Sequence, residues 1–149
     1  MNKLTEILNE FWHWSGITEG DYVKGNAINI SLKGEWEENF PNWNTIEAEI
    51  KNAVNDINIQ MDENLLDKII TIISLDNDYG IVMDYCLDHL YEKDLLIEKC
   101  AKSSLVYARF EVAVRISTIS IPPGIIELLM NDENDLVRKT VQEILNKNT

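Results

Sequence analysis

Two histidines, two cysteines and a band of carboxylates are the residues of this chain from which chemistry could be built. His13 lies between Trp12 and Trp14, and His89 follows Asp88; neither stands beside a Ser or Cys in a nucleophile motif. A nucleophile needs a base within hydrogen-bond reach, and no spacing here sets one up. On a helix over 78–91, Asp84 and Asp88 stand one turn apart, with His89 and Glu92 three apart on the next face. Such a set could lend ligands to a metal, but a zinc site draws them from converging elements and prefers tighter Cys and His spacings. The segment Asp76-Asn77-Asp78-Tyr79-Gly80 opens like a calcium loop, yet it lacks Gly at the sixth position and has Leu87 where Glu belongs at the twelfth. The glycines of 16–34 never fall as GxxxxGK or GxGxxG, so no phosphate cradle is expected. Cys86 and Cys100, set among apolar neighbours, read as buried thiols. The expectation is a protein with no catalytic residue, no cofactor and no metal.

What the carboxylates do instead follows from where they lie. The chain has 149 residues and a formal net charge of −13. Residues 1–60 hold ten acids and four lysines, residues 61–92 hold eight acids and one lysine, and residues 93–149 hold eight of each sign. All of the excess therefore sits in the first 92 residues. That field repels phosphate backbones and draws basic protein surfaces, so a nucleic-acid groove is not expected and a basic protein partner is. Basic residues of the neutral half (Lys99, Lys102, Arg109, Arg115, Arg138 and Lys139) are each near acids and are expected to form ion pairs between helices. A hydrophobic share of 45% at this length suits one domain, residues 1–149, with a core of its own. No apolar run approaches the roughly 20 residues that cross a bilayer, and Met1–Glu10 lacks the form of a signal peptide. With only two cysteines, a reducing cytoplasm is the expected setting.

The elements that position these residues read as helices. Leu4, Ile7, Leu8, Phe11 and Trp12 recur at spacings of 3 and 4 over 3–14. Residues 16–43 carry four of the six glycines and read as an irregular insertion, with a short strand or ordered loop at 27–32. A helix follows from Asn44 or Thr45 to Ile57, and a second is capped by Asp62 and runs over 63–74. Its β-branched stretch Ile69–Ile73 would suit a strand, but its length and lack of alternation favour a buried helix. Further helices are expected over 78–91, 94–103, 105–118, 124–131 and 135–147, eight in all. From residue 62 onward they form three pairs whose second members start near 78, 106 and 135. A period of about 28–30 residues between short antiparallel pairs is the mark of an α-solenoid.

Asp132-Glu133-Asn134-Asp135-Leu136-Val137-Arg138-Lys139-Thr140-Val141-Gln142-Glu143-Ile144-Leu145 resembles the second helix of a HEAT-type repeat. Ala108-Arg109-Phe110-Glu111-Val112-Ala113-Val114-Arg115 is a looser copy, and in the first copy Gly80 stands near where the later ones carry Arg. The resemblance covers residues 62–149 and leaves 1–61 as N-terminal helices with the Trp-rich insertion. It implies an all-α fold, a short α-solenoid of HEAT-like helix pairs. In size, charge and repeat type the chain is also similar to bacterial immunity proteins of contact-dependent and polymorphic toxin systems. That likeness implies a protein that binds and blocks a cognate basic toxin domain, with a nuclease as one such target. A HEAT-like adaptor for another protein is the alternative, and a metal-dependent enzyme comes after both.

The residues expected to meet a basic partner fall in two groups. Glu35, Glu37 and Glu38 flank Trp36 in the insertion, with Trp43 close behind; aromatics inside an acidic rim are suited to such an interface. Asp84 and Asp88 project together from the helix over 78–91. Trp12 and Trp14, two apart, cannot share one helical face, so one of them must be less buried.

Overall fold

A computed structural model of the chain describes residues 3–25, 36–56, 62–76 and 80–147. Among these residues there are ten helical segments and no strand: α1 (Lys3–Ser15), α2 (Glu19–Gly25), α3 (Trp36–Asn39), α4 (Trp43–Asn55), α5 (Glu63–Leu75), α6 (Ile81–His89), α7 (Lys93–Ala101), α8 (Val106–Ala113), α9 (Pro123–Met130) and α10 (Asp135–Lys147). The fold is all-α. The possible strand at 27–32 lies outside the described residues.

Local chemistry accounts for several helix starts. Asp62 caps α5 as expected, its carboxylate accepting a hydrogen bond from the Leu65 N–H at 2.7 Å. Asn134 caps α10, its Oδ1 accepting from the Leu136 N–H at 2.9 Å. Pro123 stands at the first turn of α9, where its missing N–H leaves no bond unmade. Boundaries differ from the sequence reading at several places. Helix α4 starts at Trp43, earlier than a cap at Asn44 or Thr45 would place it, and the Asn42 side chain donates to Glu10 Oε1 at 2.5 Å instead of capping. Helix α6 starts at Ile81, with Gly80 at its N-cap in a left-handed conformation, φ 64°. Helix α8 ends at Ala113, not 118; the chain continues in tighter turns, with Arg115 N–H donating to Val112 O and Thr118 N–H to Arg115 O.

The insertion also holds more helix than its glycines suggest. Helix α2 forms because Thr18 Oγ1 accepts from the Asp21 N–H at 3.0 Å, a cap that satisfies a first-turn donor. Tyr22 is buried and its hydroxyl shares a 2.6 Å hydrogen bond with Ser74 Oγ, tying α2 to α5. The single turn α3 brings Trp36 and Phe40 onto α1. There Phe11 is the centre of an aromatic cluster, with ring centroids 5.0 Å from Trp12, 5.4 Å from Trp36, 5.3 Å from Phe40 and 6.1 Å from Trp43. Trp12 is buried and Trp14 only half-buried, as the two-residue spacing requires.

Packing passes from neighbour to neighbour along the chain. Helix α1 lies on α4, α4 on α6, and α5 on α6, α7 and α8. Helix α7 in turn lies on α8 and α9, and α8 on α10. One apolar cluster runs through these contacts from Leu4 to Val141. Helix α5 is its middle: every residue from Ile69 to Leu75 is buried. Neighbours on several sides explain why a β-branched run with high strand propensity is helical here; tertiary burial, about 1.5–3 kcal/mol for each large aliphatic side chain, outweighs a propensity difference of tenths.

Candidate functional site

Helix α6 carries the two carboxylates singled out from sequence. Its entry is built by Asp76, buried at the end of α5, whose Oδ2 accepts from the Val82 N–H at 2.8 Å. One turn on, Asp84 and then Asp88 both reach solvent. They are not equivalent. Asp84 has a side chain 64% exposed, yet its Oδ1 accepts from Arg115 Nε at 2.9 Å and Nη2 at 2.8 Å. Asp88 has no ion-pair partner among the described residues. At the end of the same helix the Tyr85 and His89 rings stack 4.1 Å apart, with Lys51 Nζ 5.4 Å from the centre of the Tyr85 ring. Asn55 Nδ2 donates to the Tyr85 hydroxyl, joining α4 to α6.

The aromatic group is placed differently from expectation. Trp36 and Trp43 are 2% and 4% exposed. Both are core residues of the cluster around Phe11 and present no surface for a partner, because the apolar area of the indoles is spent on α1 and α4. Glu35 lies outside the described residues, and Glu37 and Glu38 are on α3 with side chains that are likewise outside them. The tryptophan group and the Asp84/Asp88 group are therefore not joined into one surface by any described contact.

The residue that sequence reasoning missed is Tyr91, in the turn between α6 and α7, which is 99% exposed. It follows Asp88 and precedes Glu92 and Asp94, all exposed. An aromatic ring held wholly in water at the edge of a carboxylate row is the kind of group that anchors interfaces. Nothing in a single tyrosine outside the apolar periodicity distinguishes it by sequence from a packed one.

The arginines are engaged elsewhere. Arg109 makes a bidentate pair with Asp132, at 2.7 and 3.2 Å, and its Nη1 donates to Ser103 O at 2.8 Å. Arg115 adds to Asp84 the Glu111 carboxylate at 2.5 Å and the Gly80 carbonyl at 3.1 Å. Burial opposes the Arg115 charge, and the hydrogen bonds it donates to Glu111 and Asp84, together with their negative charges, outweigh that, so the guanidinium titrates above its usual range. Arg138 pairs with Asp135 on its own helix and donates to Asp132 O at 2.6 Å; it bridges a turn and not two helix pairs. All three arginines of the chain are thus in ion pairs. No family, curated protein or solved structure matches the chain.

Among the described residues no three His, Cys, Asp or Glu side chains converge as a metal site would require. Cys86 and Cys100 are fully buried, and burial pushes the Cys86 thiol up to about 12 and raises Cys100 as well. No helix among the described residues is long and apolar enough to cross a membrane.

Proposed function

We propose that this chain is an acidic protein-binding module, an immunity protein that binds and blocks a basic toxin domain in the cytoplasm, built as a short HEAT-like solenoid. The observation that carries the reading is an imbalance of engagement. Every arginine is held by a carboxylate, Arg109 and Arg115 within the fold and Arg138 on its own helix, while Asp88, Glu92 and Asp94 remain in water beside a fully exposed tyrosine, with Lys93 the one cation between them. A surface of that kind attracts a cationic partner over distances of about a Debye length and offers an aromatic anchor on contact. The packing of each helix pair on the next supports the solenoid, which would set second helices side by side along one surface. Inhibition would then be steric and electrostatic, with carboxylates standing where a nuclease toxin would hold substrate phosphates.

The test is a pull-down from the native host, followed by purified binding and inhibition assays with the partner recovered. The expected partner has a basic domain, binds about one to one, loses a toxic activity when bound, and binds the Asp88→Lys variant more weakly at low salt. A partner of neutral or acidic surface, or affinity that does not fall with salt, would overturn the reading.

A further inference from the structure

A second surface is one that Asp88 does not line. Helix α2 on one side, α5 at the base and α7 on the other enclose a groove of about 620 Å³. Its buried lining is formed by Ile70 and Leu105, with Thr71 next to Ile70 on α5. Its walls carry two aliphatic side chains left partly in water, Val23 at 37% and Leu95 at 39% exposure. The far wall is a fixed feature, because the buried Tyr22–Ser74 hydrogen bond holds α2 to α5 next to Val23. The groove therefore exists before anything enters it, which lowers the ordering cost of a ligand.

Charge on the rim selects the occupant. Both rim lysines face carboxylates already, Lys102 with Glu98 at 2.8 Å and Lys99 with Glu63 at 3.9 Å. The rim acids Glu19 and Asp67, on the α2 and α5 side, pair with no cation among the described residues. An aliphatic slot with two uncompensated carboxylates beside it is complementary to an aliphatic side chain flanked by a basic one. We infer that this groove is a docking site for a segment of the basic partner in which leucine-like residues alternate with lysine or arginine. The inference rests on the proposed function for the partner's charge and adds where and how a segment of that partner is held.

The probe is a synthetic peptide alternating lysine and leucine, titrated calorimetrically into the full chain at moderate salt. Two control peptides replace its lysines by glutamate or its leucines by asparagine. The expected result is saturable binding of the first peptide alone, with affinity at least tenfold weaker for Asp67→Lys and for Leu95→Asn and nearly unchanged for Asp88→Lys. Both groove positions are exposed, and equal melting temperatures confirm that each variant folds. Binding of the asparagine control as tightly as the parent, or undiminished binding to both groove variants, would overturn the groove. The two proposals fail separately: a native partner lost with Asp88→Lys but indifferent to Asp67→Lys and Leu95→Asn leaves the acidic surface standing and removes the groove.

Discussion

At Gly80 the missing side chain makes room for an arginine from another helix pair. A Cβ there would lie 2.6 Å from Arg115 Nη2 and 3.2 Å from Glu111 Oε2, and φ is +64°. Gly80→Ala is expected to lower stability by about 1–3 kcal/mol through strain and displacement of that guanidinium, measured by urea unfolding. Removing the guanidinium itself costs more. Arg115→Ala takes away the cation facing the buried Glu111 carboxylate and is expected to cost about 3–5 kcal/mol. Arg138→Ala, whose pair is local and partly exposed, should cost under about 1 kcal/mol. The same denaturation series ranks all three. That Arg109 and Arg115 would pair with acids beyond their own helix was expected from the sequence, whereas Lys102 and Arg138 pair locally and Lys139 makes no ion pair among the described residues. Which acid each arginine meets was not legible, since Arg109 and Arg115 reach carboxylates 23 and 31 residues away. The buried thiols supply a pH dependence. A thiol raised in the folded state is neutral in both states below its unfolded value near 9, and favours unfolding as pH climbs from there towards about 12. Stability should therefore fall across that alkaline window, and Cys86→Ala should make the fall shallower in melts taken at successive pH values.

Among the elements, α2 shows why local readings fail at short range. Gly20 and Gly25 within seven residues argue against a helix, and the apolar pattern is too short to show a period. The signal that was present is Thr18 followed by an acid three positions on, a cap whose donor is observed. Tertiary attachment then holds the element: Tyr22→Phe removes the hydroxyl that meets Ser74 and should cost about 1 kcal/mol with little change in helix content, read by thermal unfolding and circular dichroism. The long amphipathic helices α1, α4, α5 and α10 were legible because four or more apolar positions repeat in each. The end of helix α8 was not, since beyond Ala113 the chain turns and Arg115 reaches back to the Gly80 carbonyl, a contact no local pattern encodes. For the site, Asp84 and Asp88 are both exposed but Asp84 is held by Arg115, and the tryptophans are drawn inward around Phe11, a packing visible only in three dimensions.

For the whole molecule, the charge division is the property most fully legible in the sequence, because it needs no coordinates. The Asp84–Arg115 pair alters how it should be tested. A lysine at Asp84 would face Arg115 and disturb the fold, whereas Asp88→Lys changes the surface alone. The single variant is expected to slow association with a basic partner by about tenfold at low ionic strength, with the difference shrinking as salt is added; stopped-flow mixing measures it. The aromatic cluster has a separate consequence, an optical one. All four tryptophans lie between positions 12 and 43, so the near-ultraviolet emission of the protein comes from the α1–α4 end, whereas its backbone ellipticity averages over every helix. Two heating curves recorded on one sample, one by emission and one by ellipticity, thus watch one end and the whole. Since α4 lies against both α1 and α6, the curves should coincide. A lag between them would locate a seam at α4 and mark the indole cluster as a unit that melts by itself.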